Sequence, residues 1–162
     1  MPDRIATVGI REEDPNFVHE AFVAMAKRND ARAIVNFLVA ERGPHDHAIG
    51  PEHGFVRDAI RSMARQAEVG VHPGHGSSDR PSAIRAEKTL IEHVIGRPVT
   101  ISRQHFLRMR LPQTYRELER CGVREEHSMG LADTIGFRAG TCTPFRYYDL
   151  LAEEETLLTV LP

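Results

Sequence analysis

Two histidines stand three positions apart in the segment "EVGVHPGHGSSD". His72 closes a short apolar run, and His75 follows Pro73 and Gly74. Neutral imidazole is a frequent ligand of divalent cations, and a catalytic zinc site uses about three protein donors plus an open position for water. Proline and glycine disfavour a helix interior, so the pair does not read as two ligands on one helix face. A tight loop can instead turn both rings toward one cation, which makes His72 and His75 the metal candidates. The ordinary alternative is a strand-end hydrogen bond for His72 and a solvated ring for His75.

Other reactive types lie nearby. "GHGSS" resembles a nucleophile elbow only superficially, because neither Ser77 nor Ser78 has a glycine two residues to each side. It also matches no phosphate-binding or dinucleotide-binding glycine pattern. Ser77 is a substrate-binding candidate, with capping of the next helix or turn as its plainer role. "SRQHFLRMRLP" places Arg103, His105, Arg108 and Arg110 within eight residues. A guanidinium at position 103 can hold a carboxylate bidentately, either a catalytic acid or a substrate group; a helix entry with solvated arginines is the alternative. "GLADTIGFRAGT" adds Asp133 and Arg138 among three glycines, as a buried pair or as site residues.

These residues need elements to position them. "DPNFVHEAFVAMAKRND" reads as a helix, with Asp14 as N-cap and Pro15 in the first turn. Phe17, Phe22 or Val23, and Met25 or Ala26 form its apolar side. "RAIVNFLVA" reads as a strand buried on both faces. "FVRDAIRSMARQA" repeats Val56, Ile60, Met63 and Ala67 at helical spacing. "EVGV" is a brief strand ending at His72. "RPSAIRAEKTLIEHVIG" is a helix stopped by Gly96, and "RPVTIS" is a strand ending at Arg103. "LPQTYRELERCG" is a helix with Gly122 after it, and two more strands are expected near "IGFR" and "TLLTV". Alternating strands and helices imply βαβ units with a mostly parallel sheet, an α/β fold in which sites gather at the carboxyl ends of strands. His72 and Arg103 both stand at such ends.

The totals narrow the class. A chain of 162 residues suits one domain, residues 1–162. With 21 basic and 23 acidic residues, no surplus or block of charge points to nucleic acid. The apolar runs are too short to cross a bilayer, and "MPDRIATVGIREED" carries no signal core, so a cytoplasmic location without membrane contact is expected. Cys121 and Cys142 are expected as reduced, buried thiols, with a disulfide the alternative.

Four pieces in one order, "EVGVHPGHGSS", "AEKTLIEHVIGRPVTISRQHFLRMRLPQTYRELERCGV", "HSMGLADTIGFRAGTCTPF" and "YYDLL", resemble a bacterial branch of the polysaccharide deacetylases, the NodB-like carbohydrate esterases. The resemblance runs from about Phe37 to Pro162. It implies an irregular, incomplete β/α barrel and a hydrolase that uses a divalent metal, usually zinc, to remove acetyl groups from sugars. His72 matches the first metal histidine, and His75 stands near the second, three residues on rather than four. Arg103 matches the arginine that orients the base. His105, standing where many relatives have proline, could protonate the leaving amine. Asp133 falls in the segment that shapes the acetyl pocket, and Arg138 in a stretch typical of the branch.

The family's paired aspartates are missing. Glu12, Glu13 and Asp14 after "ATVGI" are the only substitutes in place, and helix capping explains Asp14 as well. The family's last histidine motif has no counterpart either. The expected fold is therefore a partial barrel without its first strand and last elements. Three outcomes follow: a metal-dependent sugar deacetylase, an inactive relative that binds glycan or metal without turnover, or a fragment whose open sheet edge invites a partner or a second copy.

Overall fold

The computed structural model describes residues 18–162. Asp14, Pro15, Phe17 and the acidic substitutes at positions 12–14 lie outside the described residues. Helix α1 covers His19–Arg28 and buries Val23 and Ala26, while Phe22 and Met25 face solvent. Strand β1 (Ile34–Phe37) leads by a long loop to α2 (Gly54–Ala64), which buries Ile60 and Met63. Strand β2 covers Glu68–Val71, as the sequence predicts. A 3₁₀ turn (His75–Ser78) and α3 (Ser82–Ile95) follow, and Gly96 ends α3 in the left-handed region at φ 70°. Strand β3 (Ile101–Ser102), a 3₁₀ turn (His105–Leu107) and α4 (Gln113–Arg120) complete the middle of the chain. Strands β4 (Glu125–Glu126), β5 (Phe145–Asp149) and β6 (Glu154–Val160) end it.

The six strands form one sheet in the order β1-β2-β3-β4-β6-β5. All neighbouring pairs are parallel except β5 with β6. Among the described residues the sheet is open, with β1 and β5 at its ends. The architecture is thus mixed α/β with a mostly parallel sheet, as expected, but the sheet does not close into a barrel.

Alternation sorts the strand residues. Val69 and Val71 pack with Val39, Ile60, Ile91, Val94 and Val99 into one core between the sheet and α2 and α3. A second core joins Ile84, Tyr115, Leu118, Val123, Met129, Leu158 and Val160. Glu68, Gly70 and His72 necessarily point to the opposite face.

Three expectations change. Strand β1 is half-buried along its whole length rather than buried on both faces, because it ends the sheet and the polar Asn36 sits on its second face. "IGFR" is a turn segment with Ile135 fully exposed, and β4 and β5 are the strands that join the expected one at "TLLTV". Alternation in "FRYYD" is weak, since aromatic residues occupy both faces. Cys121 and Cys142 are free thiols; Cys121 is half-buried and Cys142 exposed. No helix among the described residues is long and apolar enough to cross a membrane.

One glycine sets the distance between two loops. A Cβ on Gly74 would lie 2.4 Å from the Cβ of Ala40 and 3.2 Å from Asp46 Oδ2, so the loop after β2 can approach the loop after β1 only without a side chain there. Gly74→Ala is expected to cost about 1–3 kcal/mol by overpacking and to lower Tm by several degrees. At Gly76 a Cβ would meet only Arg80 Nη2, at 3.7 Å. Gly76→Ala should stay within about 0.5 kcal/mol of the parent. Thermal melts of both variants check the pair.

Candidate active site

The residues that follow β1, β2 and β3 meet at one edge of the sheet because those strands are parallel and in register. The ladder runs one residue past the strands: His72 N–H donates to the Phe37 carbonyl (2.9 Å), and Arg103 N–H to the Val71 carbonyl (3.0 Å). The loop "HPGH" then leaves the sheet, and three other segments hold it. Gly74 N–H donates to Glu87 Oε2 at 2.8 Å. His75 N–H donates to both oxygens of Asp46, at 2.9 and 3.1 Å. The His75 carbonyl accepts from Arg108 at 3.0 Å, and the Pro73 carbonyl from His105 N–H at 3.1 Å.

The side chains make a histidine–carboxylate cluster. His72 Nε2 and His105 Nδ1 are 2.9 Å apart. His105 Nε2 lies 3.1 Å from the His45 carbonyl oxygen and 3.7 Å from Asp46 Oδ1. A carbonyl oxygen only accepts, so Nε2 of His105 is the donor. In a neutral His105 ring, Nδ1 then accepts from His72 Nε2, and His72 Nδ1 keeps a lone pair. That Nδ1 is buried without a hydrogen bond of acceptable geometry. Burial is the main force holding the His72 pKa below its ordinary value, and the charge of His105 acts the same way; the Arg103 main chain opposes both. His75 is also held low, first by desolvation and then by His45 and Arg108. Both rings are therefore neutral at pH 7.

His75 and His45 pack with ring centroids 4.2 Å apart. Phe106 stands over the group, 4.6 Å from the His105 ring and 5.6 Å from His75, and is 63 % exposed. Phe106 and Leu107 both adopt positive φ, 57° and 53°. Such backbone costs of order 1–3 kcal/mol per residue and tends to persist at sites of binding or chemistry. Beside the cluster lies a half-open cleft of about 530 Å³, with His45, Asp46, His75, Arg80 and Glu87 in its walls.

The remaining candidates divide. Ser77 is buried, and its hydroxyl donates to Gln104 Oε1 at 3.4 Å. Neither Ser77 nor Ser78 caps a helix, and Ser78 Oγ has no partner. Arg103 is exposed and holds the His127 carbonyl at 2.8 Å rather than a carboxylate, because that carbonyl follows the adjacent strand β4. Arg138 donates to the Leu107 carbonyl at 3.0 Å and fastens the 130–140 segment to the Phe106 turn. Asp133 is exposed, and no hydrogen bond or ion pair ties it to the cluster.

Among the described residues no three His, Cys, Asp or Glu side chains gather to hold a cation. His72 is committed to His105, and His75 packs on His45, so the two do not share a ligand set. The described residues, as arranged, do not fit a zinc ion.

Asp46 and Glu87 are the cleft carboxylates that sequence reasoning passed over. Asp46 lies in the polar loop "ERGPHDHAIGPEHG", several residues past the predicted strand end, and there it reads as a solvated acid. Glu87, an acid within a helix, reads the same way.

No family model matches the sequence, and no curated protein matches it. Solved structures do. A Mycobacterium smegmatis protein assigned as a polysaccharide deacetylase superposes with a TM-score of 0.61 at 15 % identity, covering 99 % of this chain and 52 % of that one. A de-N-acetylase from Aggregatibacter actinomycetemcomitans superposes with a TM-score of 0.51 at 12 % identity, covering 85 % of this chain and 73 % of that one. The chain spans about half the length of the first. The chain thus shares its fold with these two proteins, a NodB-like polysaccharide deacetylase fold.

Proposed function

We propose that this chain is a hydrolase that removes acetyl groups from a sugar, working at the cluster of Asp46, His72, His75 and His105. One observation carries the proposal: in a fold shared with deacetylases, the loops after β1 and β2 bring Asp46 and a neutral His75 into one cleft, and the His72–His105 pair lies beside Asp46. Neutral His75 lines the cleft, where it can accept a hydrogen bond from a sugar hydroxyl or from the attacking water. Asp46 fixes the loop that carries His75. The His72–His105 pair, next to Asp46, is placed to pass a proton toward the leaving atom. Phe106 offers an exposed apolar surface for a sugar ring or a methyl group. Arg138 and Ser77 then act by holding the turn and the loop around the substrate. No proton step is assigned to a metal, since the described residues present no ligand set.

Acetate release from a chito-oligosaccharide and from acetylated xylan tests this. His72→Ala should lower release by about 100-fold or more, the size of a lost proton-transfer group. Release unchanged by His72→Ala refutes the assignment. Release that requires added Zn²⁺ and stops with a chelator shows that the cluster rearranges around an ion.

That no three ligand side chains converge among the described residues favours a second reading, a glycan-binding relative without turnover. Equilibrium titration with the same oligosaccharides separates the two. Saturable binding with no acetate formed supports the binder, and acetate formation excludes it.

A further inference from the structure

Glu87 is a buried acid whose one structural contact, with the Gly74 N–H, does not require an ionisable group. It is 8 % exposed, and its side chain lines the cleft with Asp46, His45 and His75. Oε2 accepts the Gly74 N–H at 2.8 Å, while no hydrogen bond engages Oε1. On the next residue, Asp46 accepts the His75 N–H. Successive amides of one loop therefore draw two carboxyl groups to the same wall of the cleft. A neutral amide oxygen would serve the Gly74 N–H equally well, so the hydrogen bond alone does not explain an ionisable group there. Two acids whose surroundings differ, one occupied by the loop through both oxygens and one through a single oxygen, are the pattern of a divided acid–base pair.

We propose that Glu87 is the general base of the cleft, taking a proton from the water that attacks the substrate's acyl carbonyl. The assignment rests on the acyl-hydrolase function proposed above and names a residue of that same site. As the water oxygen bonds to the acyl carbon, one water proton passes to Glu87 Oε1 and the carbonyl π pair moves onto oxygen. When the intermediate collapses, the bond from the acyl carbon to the sugar nitrogen or oxygen breaks. The bonding pair stays on the sugar atom, and the proton held by Glu87 returns to it by way of the His72–His105 pair, giving a sugar amine or alcohol and acetic acid.

The electrostatics agree. Burial raises the Glu87 pKa to about 7, and Asp46 and, less strongly, Glu41 push in the same direction. The Gly74 N–H and Arg80 oppose them. A base with a pKa near the working pH combines a useful ionised fraction with useful basicity. Its active form is the carboxylate, so the rate rises with pH through this value.

The conservative variant is Glu87→Gln, which keeps an acceptor for Gly74 and removes the titration. The expected result is a Tm close to the parent and an acetate-release rate lower by about 10²–10⁴-fold, the size of a lost general base. The limb of the pH–rate profile near 7 should vanish, and Asp46→Asn should move it to lower pH in an otherwise intact Glu87 protein. Near-parental release by a folded Glu87→Gln variant overturns the role of Glu87 and leaves the hydrolase assignment standing. A parent protein that releases no acetate from any of the sugars overturns both. If Glu87→Gln does not fold, ¹³C-carboxyl NMR of the parent decides. A glutamate titrating near 7 and moved by Asp46→Asn supports the proposal, and its absence overturns it.

Discussion

Proline cannot donate a hydrogen bond, and glycine cannot hold a loop in place by itself. The "HPGH" segment therefore depends on hydrogen-bond partners from elsewhere, and the structure is arranged around supplying them. β1 supplies Phe37, the loop after β1 supplies Asp46, α3 supplies Glu87, and the turn after β3 sends His105 and Arg108. Buried main-chain polar groups without partners cost about 1–3 kcal/mol each, so these contacts must form together or not at all. The loop is thus a joint among three strand ends, and its histidines inherit their positions from that joint.

A second buried network steadies the other side of the same edge. Gln104, 1 % exposed, receives Ser77 Oγ on its side-chain oxygen and sends its main-chain N–H to Ser128 Oγ at 2.7 Å. Its side-chain amide donates to Ser102 Oγ at 3.0 Å. Ser128 in turn donates through both N–H and hydroxyl to Glu126, which also accepts from Tyr115 at 3.1 Å. Glu126 is fully buried, and burial raises its pKa despite these donors. Residue 104 immediately precedes His105, so the network places the imidazole that meets His72. Polar cores of this kind are costly unless complete, and here every side chain on the path has a partner.

Much of this was legible where a periodic signal existed. The strand at Glu68–Val71, the helix ending at Gly96 and the helix before Gly122 follow from apolar spacing and from glycine's freedom at positive φ. His72 was legible because a polar residue after a short apolar run marks a strand end in an α/β fold. The carboxyl partners were not. Asp46, Glu87 and Glu126 look like solvated acids in sequence, because their burial comes from tertiary contacts with Gly74, His75, Tyr115 and Ser128. Arg103 stands at the expected strand end, and its acceptor there is the His127 carbonyl, which sequence does not reveal to lie beside it. "IGFR" has the apolar content of a strand without a neighbour to pair with, and it remains a turn.

The parity of β2 explains how one short strand serves both a core and a site. Val69 and Val71 face the helices, while Glu68, Gly70 and His72 share the other face. Gly70 leaves room there for Asn36, whose Oδ1 would be 2.0 Å from any Cβ at that position. Further along the same face Arg32 bridges Glu68 and Glu125, and His127 reaches Glu125 at 2.6 Å. The face away from α2 and α3 is therefore polar from the Arg32 end up to His72. Because side chains alternate with period two, a one-residue slip of β2 would bury Glu68 against α2 and α3 and turn His72 into the core. The burial of Val69 and Val71 thus fixes where His72 points, and the apolar side of the sheet determines the geometry of the reactive side.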